Sequence, residues 1–169
     1  MSGHNKWNQI KHKKTLTDKK KGQLFSKLSK LISLAARKGV NPETNIELRN
    51  SIEKAKSMSM PIDSINKALN KAQDKSGSQL EELIIEAIGP GNVALRVRAI
   101  TDNRNRTISE VKKILGDHNA KMVPPRSILW MFNQSVTIDD QATREKIDKL
   151  CEAIDDYDDT EDIVSNLKE

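Results

Sequence analysis

The spacing of apolar residues changes once along this chain of 169 residues, near residue 76. Before that point apolar residues recur every three or four positions, which is the pattern of amphipathic helices. After it, short runs alternate between apolar and polar residues, as in strands with one buried face. The change coincides with Asp74-Lys75-Ser76-Gly77-Ser78, a stretch whose composition is typical of a linker. The sequence therefore predicts two domains, at residues 1–75 and 78–169.

Three amphipathic helices are expected in the first domain. Gly39 stands where a glycine commonly ends a helix, Asn41-Pro42 is expected to open the second helix, and Pro61 to start the third. Short connections then give a three-helix domain. The residues expected to face its core are Leu24, Phe25, Leu28, Leu31, Ile32, Ala35, Ala36, Leu48, Ser51, Ile52, Ala55, Ile62, Ile65, Ala68, Leu69 and Ala72.

The second domain is expected to combine strands with two helices. A turn at Gly89-Pro90-Gly91-Asn92 follows the first strand, and Arg96 and Arg98 alternate with apolar residues in the second. An antiparallel sheet with two helices on one face is an α+β layer, here of the ferredoxin-like type. The expected strands are 82–88, 93–99, 127–132 and 163–167, with 136–138 continuing or pairing with the third, and the expected helices are 107–118 and 140–154.

The predicted fold class is therefore α + (α+β), an N-terminal three-helix domain followed by a ferredoxin-like antiparallel α/β domain. Charge divides in the same way. Residues 1–75 contain 17 Lys/Arg and 6 Asp/Glu, whereas residues 76–169 contain 12 and 18. A strongly basic unit beside an acidic one indicates that the first half is the part suited to nucleic acid.

The most basic stretch lies near the start of the chain. Seven lysines and one acid, Asp18, fall between residues 6 and 21, and the large aromatic Trp7 stands among them. Ammonium groups suit phosphates, and an aromatic ring beside them suits base stacking. The alternative is a solvated basic tail with Trp7 in a local core and the histidines packing against helices. The candidate nucleic-acid-binding residues here are His4, Lys6, Trp7, Lys11, His12, Lys13, Lys14, Lys19, Lys20 and Lys21.

A second candidate contact comes from Arg104 and Arg106, in a segment where a strand is expected to pass into a helix. Asn and Thr at such a junction cap the exposed helix N–H groups, and the arginine side chains suit phosphate. The alternative is a capped turn whose arginines pair with Glu110 or with the acidic C-terminal helix.

Several functions are not expected from this sequence. It contains no Gly-rich phosphate loop, no nucleophile elbow and no quartet of metal ligands, so neither an enzyme, a cofactor, a metal nor a small-molecule substrate is predicted. The acidic run 155–162 lacks the spacing of a calcium loop and is expected to be a solvated loop. A single cysteine, Cys151, excludes an internal disulfide and favours a reducing, cytoplasmic location. No apolar run reaches the length of a membrane span.

The sequence resembles the YebC/PmpR family, which includes the mitochondrial translational activator of cytochrome c oxidase. The resemblance extends from the start to about residue 134. It is carried by Gly3-His4-Asn5-Lys6-Trp7, Ile10-Lys11-His12, Leu48-Arg49, Ile52-Glu53-Lys54-Ala55-Lys56, Met60-Pro61, Gly89-Pro90-Gly91, Thr101-Asp102-Asn103-Arg104-Asn105-Arg106-Thr107 and Trp130-Met131-Phe132.

The resemblance implies a helical domain followed by two α/β domains, the third inserted within the second. Here Phe132-Asn133-Gln134 is followed almost at once by a segment similar to the family's return strand, so we expect the inserted domain to be absent. The loop before Trp130, usually Gly-rich in the family, contains Pro124-Pro125, which stiffens it.

The resemblance also implies a non-enzymatic regulatory factor in gene expression. The first hypothesis is a ribosome-associated translation factor that binds ribosomal RNA through the basic helical domain. The alternative is a DNA-binding transcriptional regulator, and a third hypothesis is a protein–protein adaptor whose acidic domain binds a basic partner. Binding to RNA and binding to DNA both require a basic surface, so composition does not distinguish the translation factor from the transcriptional regulator.

Overall fold

The computed structural model describes residues 17–74 and 79–168. They form two compact units. The first contains residues 17–74 and 79–81 together with Ile100–Asp102, and the second contains Glu82–Ala99 and residues 103–168. The predicted domain limits at residues 75 and 78 lie outside the described residues, so those limits stay predictions.

The helical unit consists of α1 (Asp18–Ala36), α2 (Ile46–Ser57) and α3 (Ile62–Gln73). Both α2 and α3 pack mainly on α1 and touch each other much less. The hydroxyl of Ser33 on α1 donates to the Ala68 carbonyl of α3 at 2.9 Å, which satisfies a buried polar group within the contact. The predicted inward positions form the core cluster of the unit, apart from Leu31 and Ser51, which are buried outside that cluster, and Ile62, which is corrected below.

The second helix begins at Ile46, so the prediction that Asn41-Pro42 opens it is wrong. Asn45 is the cap, because its Oδ1 accepts from the Leu48 N–H at 3.1 Å. Its Nδ2 also donates to the carbonyls of Ala35, at 2.8 Å, and Gly39, at 2.7 Å. One buried asparagine thus starts α2 and satisfies carbonyls at the end of α1, while Pro42 lies in the turn between the two helices.

The prediction that Ile62 faces the core is wrong, because its side chain is 61% exposed. It is the first residue of α3, directly after Pro61. At a helix end, one residue of displacement moves a side chain by 100° around the axis, so the periodic pattern places terminal residues poorly. The inner positions Ile65 and Ala68 are buried as predicted.

The second unit is built on a four-stranded antiparallel sheet of order β3-β1-β2-β4. Its strands are β1 (Glu81–Ile88), β2 (Ala94–Thr101), β3 (Lys121–Val123) and β4 (Thr160–Ser165), and its helices are α4 (Arg104–Asp117) and α5 (Gln141–Asp155). One core joins alternate residues of the strands, such as Ile85 and Val97, to Val111 of α4 and Leu150 of α5. Both helices therefore cover the same face of the sheet.

The predicted fold class is confirmed: three N-terminal helices precede an antiparallel four-stranded sheet with helices. The order of elements in the second unit is ββαβαβ, whereas the ferredoxin-like arrangement is βαββαβ. The reason is the short turn Pro90–Asn92, which joins β1 directly to β2 as a central hairpin. Gly91 in this turn has a φ of 68°, a conformation that glycine adopts without a steric penalty.

The predicted third strand at 127–132 is wrong. That segment forms a turn and a short 3-10 helix, Leu129–Asn133, and the third strand is Lys121–Val123, where the sequence indicates a loop. The strand has only three residues, too few for an alternating pattern to show, and Pro124-Pro125 follows it directly. Val136 pairs with Leu167 in a single parallel bridge instead of extending a third strand.

Only residues 134–140 separate the 3-10 helix from α5. The expected direct passage from Phe132 to the return segment at Val136 is therefore present in the structure, with no domain inserted there.

Candidate nucleic-acid interface

The candidate interface divides between two places in the described structure. His4, Lys6, Trp7, Lys11, His12, Lys13 and Lys14 lie outside the described residues, so their assignment as nucleic-acid contacts stays a prediction. Lys19, Lys20 and Lys21 belong to the first turn of α1, and Arg104 and Arg106 to the first turn of α4.

The three lysines of α1 are all exposed. The helix begins here because the Oγ1 of Thr17 accepts from the Lys20 N–H at 3.4 Å, and Asp18 occupies the first turn. A helix N-terminus carries a partial positive charge, which favours Asp18 and disfavours ammonium groups. Three consecutive lysines at this position are unfavourable for the helix dipole, and they add positive charge to an end that already attracts anions.

Positive charge extends over the rest of the helical unit. Residues 17–74 contain twelve Lys/Arg and six Asp/Glu. The Nζ of Lys38 lies 2.7 Å from Oε1 of Glu47, but both side chains are largely exposed, so this pair contributes little to stability. The exposed Arg49, Lys56, Lys67 and Lys71 leave α2 and α3 with basic outer surfaces. The helical unit can thus attract a polyanion from more than one side.

The first turn of α4 is ordered by a side-chain network around one buried carboxylate. Asn103 caps the helix, since its Oδ1 accepts from the Arg106 N–H at 3.1 Å. The Oδ2 of Asp159 accepts from Thr107 Oγ1 at 2.8 Å, from Tyr157 Oη at 3.0 Å and from Arg106 Nη2 at 3.0 Å. Asp159 is 4% exposed, so these donors compensate a charge that has lost its water.

This geometry bears on both interpretations of the arginines. Arg106 does pair with a carboxylate, that of Asp159, which follows α5. Its side chain is still 47% exposed, and a guanidinium has five N–H donors. Arg104 is exposed at the first position of α4. A phosphate contact by Arg104 and Arg106 therefore stays a proposal, with Arg106 held in one orientation by Asp159.

The prediction of a solvated acidic loop at residues 155–162 is wrong. Asp155 ends α5, Asp159 is buried, and Thr160–Ser165 is the edge strand β4. In addition, Glu161 Oε2 lies 3.3 Å from Arg98 Nη1, which pairs β4 with β2. A run of acids resembles a solvated loop when its partners are distant in sequence, and Arg106 and Arg98 lie 53 and 63 residues earlier. Burial raises the pKa of the Tyr157 hydroxyl, which keeps it a hydrogen-bond donor to Asp159.

The described residues offer neither a metal site nor a reactive cysteine. Within residues 17–74 and 79–168, no three His, Cys, Asp or Glu side chains are placed to hold a metal ion. Cys151 is buried on the inner face of α5, and burial, with smaller effects of Asp148 and Asp155, raises the pKa of its thiol to about 12. A thiol of that pKa is protonated at neutral pH and is not a nucleophile. None of the described helices is long and apolar enough to cross a membrane.

Sequence reasoning misses three residues that shape these surfaces. Asp159 and Tyr157 belong to what looks like a simple charge run, and the buried Asn166, which holds the Leu129–Asn133 segment, carries no signal in the sequence. Trp130 is predicted to lie on a strand, but it is 60% exposed on the 3-10 segment. A tryptophan flanked by apolar residues normally indicates a core position, so only the structure reveals its exposure.

Comparison with known proteins gives a consistent family. Residues 5–75 match the TACO1/YebC protein N-terminal domain, and residues 80–139 match the TACO1/YebC second and third domain. A probable transcriptional regulatory protein of Pseudothermotoga lettingae is 45% identical over 170 residues, covering 94% of this chain and 67% of that protein. A protein of the same description from Trichlorobacter lovleyi is 46% identical over 140 residues, covering 82% and 57%.

Among solved structures, a conserved hypothetical protein from Aquifex aeolicus superposes with a TM-score of 0.85 at 29% identity, covering 96% of each chain. The chain spans between about half and three quarters of the length of the curated relatives described as probable transcriptional regulatory proteins. The matched domains together cover most of the sequence, and one relative at 45% identity matches 94% of it. The chain belongs to the TACO1/YebC family.

Proposed function

We propose that this protein is a non-enzymatic regulatory factor of gene expression that binds nucleic acid through its basic helical unit. The observation that carries the proposal is the exposed run Lys19-Lys20-Lys21 in the first turn of α1, where helix stability disfavours positive charge. The lysines of such a cluster can neutralise nucleic-acid phosphates, and the release of the counterions that surrounded those phosphates favours binding. The regulatory role is supported by the relatives described as probable transcriptional regulatory proteins.

Ribosomal RNA is the partner that we propose first, with a role in assisting translation in the cytoplasm. Neither a membrane nor a small-molecule substrate belongs to this proposal. Exposed lysines spread over several helix surfaces suit a folded RNA, whose phosphates approach from more than one direction. The opposite charge balance of the other unit, with twelve Lys/Arg and fifteen Asp/Glu in residues 82–99 and 103–168, directs nonspecific nucleic-acid contacts to the helical unit.

A DNA-binding transcriptional regulator is the second candidate, favoured by a feature of the helical unit. Four residues, 58–61, connect α2 to α3, and Ser59 in this connection has a φ of 60°. A helix-turn-helix motif likewise joins two helices by three or four residues, with the second helix facing the major groove. The outer face of α3 offers Asn66, Lys67 and Asn70, side-chain types that contact base edges and phosphates.

Co-sedimentation separates these candidates. The full chain is mixed with purified ribosomes at increasing salt, with and without ribonuclease, and in parallel with duplex DNA of mixed sequence. We expect ribosome binding that weakens steeply with salt and is lost after nuclease treatment. Binding to duplex DNA that survives equimolar ribosomes favours the transcriptional candidate. Absence of binding to both would refute the nucleic-acid function.

A further inference from the structure

The second unit displays one large aromatic side chain to solvent. Trp130 is 60% exposed and its neighbour Leu129 is 40% exposed, on the 3-10 segment Leu129–Asn133. A tryptophan buries more apolar area than any other residue when it finds a partner, so an exposed one leaves a large amount of apolar surface in water. Isolated exposed apolar residues are common, so further observations are needed to assign a function to it.

The first such observation is that the backbone around Trp130 is fixed. Ile128 is buried directly before the segment. The Nδ2 of the buried Asn166 donates to the carbonyls of Met131, at 3.1 Å, and Gln134, at 3.3 Å, while its Oδ1 accepts from the Ala94 N–H at 2.8 Å. The segment on which Trp130 stands is thus tied to β2. A side chain held on such a support loses less entropy on binding than one on a free loop.

The second observation is local charge. Residues 118–138 contain Lys121 and Arg126 but no Asp or Glu, although the unit as a whole has more acids than bases. Arg126 is exposed and has a φ of 66°, a conformation that is uncommon for residues with a Cβ and costs energy. The segment 118–138 thus combines two basic side chains with an exposed aromatic ring. It is complementary to a ligand that carries negative charge and also has a flat apolar face.

We propose that Trp130 stacks on an unpaired base of a single-stranded nucleic-acid segment, with Arg126 contacting a neighbouring phosphate. Single-stranded nucleic acid offers both a base face and a phosphate within one nucleotide, which a duplex, with its bases already stacked, does not. The second unit thereby adds a stacking contact to the phosphate contacts of the helical unit. This inference rests on the proposed nucleic-acid function and names the structural class of the target, an unpaired strand.

Fluorescence of Trp130 tests this directly. The chain contains two tryptophans, so the variant Trp7→Phe leaves Trp130 as the single reporter. Titration of this full-length variant with an unlabelled oligouridine of about 12 nucleotides, whose bases stack weakly on one another, is expected to quench Trp130 emission. A duplex of equal length at saturating concentration is expected to quench it much less.

Affinity measurements on full-length variants complete the test. Trp130→Ala is expected to weaken binding to the single strand by roughly fivefold to a hundredfold at every salt concentration, and Trp130→Phe to restore part of the affinity. Arg126→Gln is expected to reduce the salt slope by about 0.7, the value for one phosphate contact on a single strand. Ile46→Ala, which removes an exposed apolar side chain from the helical unit, is the matched control and is expected to change neither quantity.

Two outcomes overturn the inference in distinguishable ways. If labelled oligouridine binds both the unmodified chain and Trp7→Phe by anisotropy, while Trp130 emission in Trp7→Phe and the affinity of Trp130→Ala stay unchanged, the stacking assignment is wrong and the proposed function stands. This is also the outcome expected if Trp130 docks on a protein. If neither oligouridine nor ribosomes bind the unmodified chain, the proposed function and the inference fail together.

Discussion

Among single residues, Asp159 joins α4 to the segment that follows α5 in the second unit. Its Oδ2 connects three side chains from two separate parts of the chain: Thr107 and Arg106 on α4, and Tyr157 after α5. A buried carboxylate costs several kcal/mol to desolvate, and hydrogen bonds from charged and hydroxyl donors offset that cost. Asp159 therefore holds the first turn of α4, which Asn103 caps, and orients Arg106.

Replacement of Asp159 should accordingly be costly. Asp159→Ala removes the acceptor that Thr107, Tyr157 and Arg106 share, and we expect the free energy of unfolding to fall by roughly 2–3 kcal/mol, less than for a fully buried ion pair because Arg106 is half exposed. Urea denaturation measures this, with Asp156→Ala, at an exposed position of the same acidic run, as the control. Equal stability of the two variants would show that the network is unimportant.

Cys151 gives a pH dependence with a defined sign. Its pKa rises from 9.0 to about 12 on folding, so above pH 9 the unfolded state has released a proton that the folded state still holds. The stabilising contribution is complete below pH 9 and is lost as the pH rises toward 12. Between about pH 9 and 10.5 we expect unfolding free energy to fall more steeply for the unmodified chain than for Cys151→Ala, by up to about 1.4 kcal/mol per pH unit. Parallel slopes in urea melts would contradict the burial of the thiol.

Among the elements, the β1–β2 hairpin depends on its glycine turn. A Cβ at Gly91 would lie 2.6 Å from Cδ1 of Ile138 and 3.2 Å from Cγ2 of Thr143, and the φ of 68° is unfavourable for alanine. Gly116 in α4 has neither constraint, since no side chain of the described residues lies within 4 Å of the place that a Cβ would occupy. The backbone and the neighbouring side chains therefore require glycine at position 91, whereas position 116 has room for alanine.

Alanine at these two positions should change stability in opposite directions. Gly91→Ala is expected to lower the unfolding free energy by more than about 1 kcal/mol, whereas Gly116→Ala should raise it by roughly 0.4–1 kcal/mol through a higher helix propensity and a less flexible unfolded chain. Thermal melts by circular dichroism decide the sign for each. A destabilised Gly116→Ala variant or a neutral Gly91→Ala variant would be inconsistent with the turn geometry.

The elements also show what the sequence can predict. The inner faces of α1, α3 and α5 follow from periodicity because each of these helices buries one stripe, as Leu28, Ile65 and Leu150 illustrate. The three-residue β3 has no such pattern, and Trp130 lies in an apolar run that resembles a strand. The pair Arg106–Asp159 joins residues 53 apart in sequence, so local reasoning recognises the arginine but not its partner.

At the scale of the whole molecule, two units with opposite charge balance share one chain. Their cores are separate clusters of buried residues, one on the helices and one between the sheet and its two helices. A domain with its own core can fold alone. The helical unit has the charge for phosphates, and the second unit adds, in our proposal, the stacking contact at Trp130.

Separate cores lead to a test of independence. We expect residues 1–75 and 78–169, expressed as two polypeptides, each to show a cooperative melt and circular dichroism consistent with its own elements. The first should be almost purely helical, and the second should combine helix with strand. One half that stays unfolded alone, while the intact chain melts in a single transition, would contradict two independent domains.

The most direct test of the central claim is the salt dependence of nucleic-acid binding by the intact chain. Lys19, Lys20 and Lys21 are replaced together by Gln, and the control replaces Lys112, Lys113 and Lys149, three exposed lysines of the acidic unit. If the α1 lysines bind phosphates, the slope of log affinity against log salt should shrink by roughly 0.7–0.9 for each phosphate that is no longer neutralised, up to about 2–3 in total, and the control slope should stay near that of the unmodified chain. Equal slopes and affinities for both triple variants, with the fold intact, would contradict the claim that the helical unit binds nucleic acid through this turn.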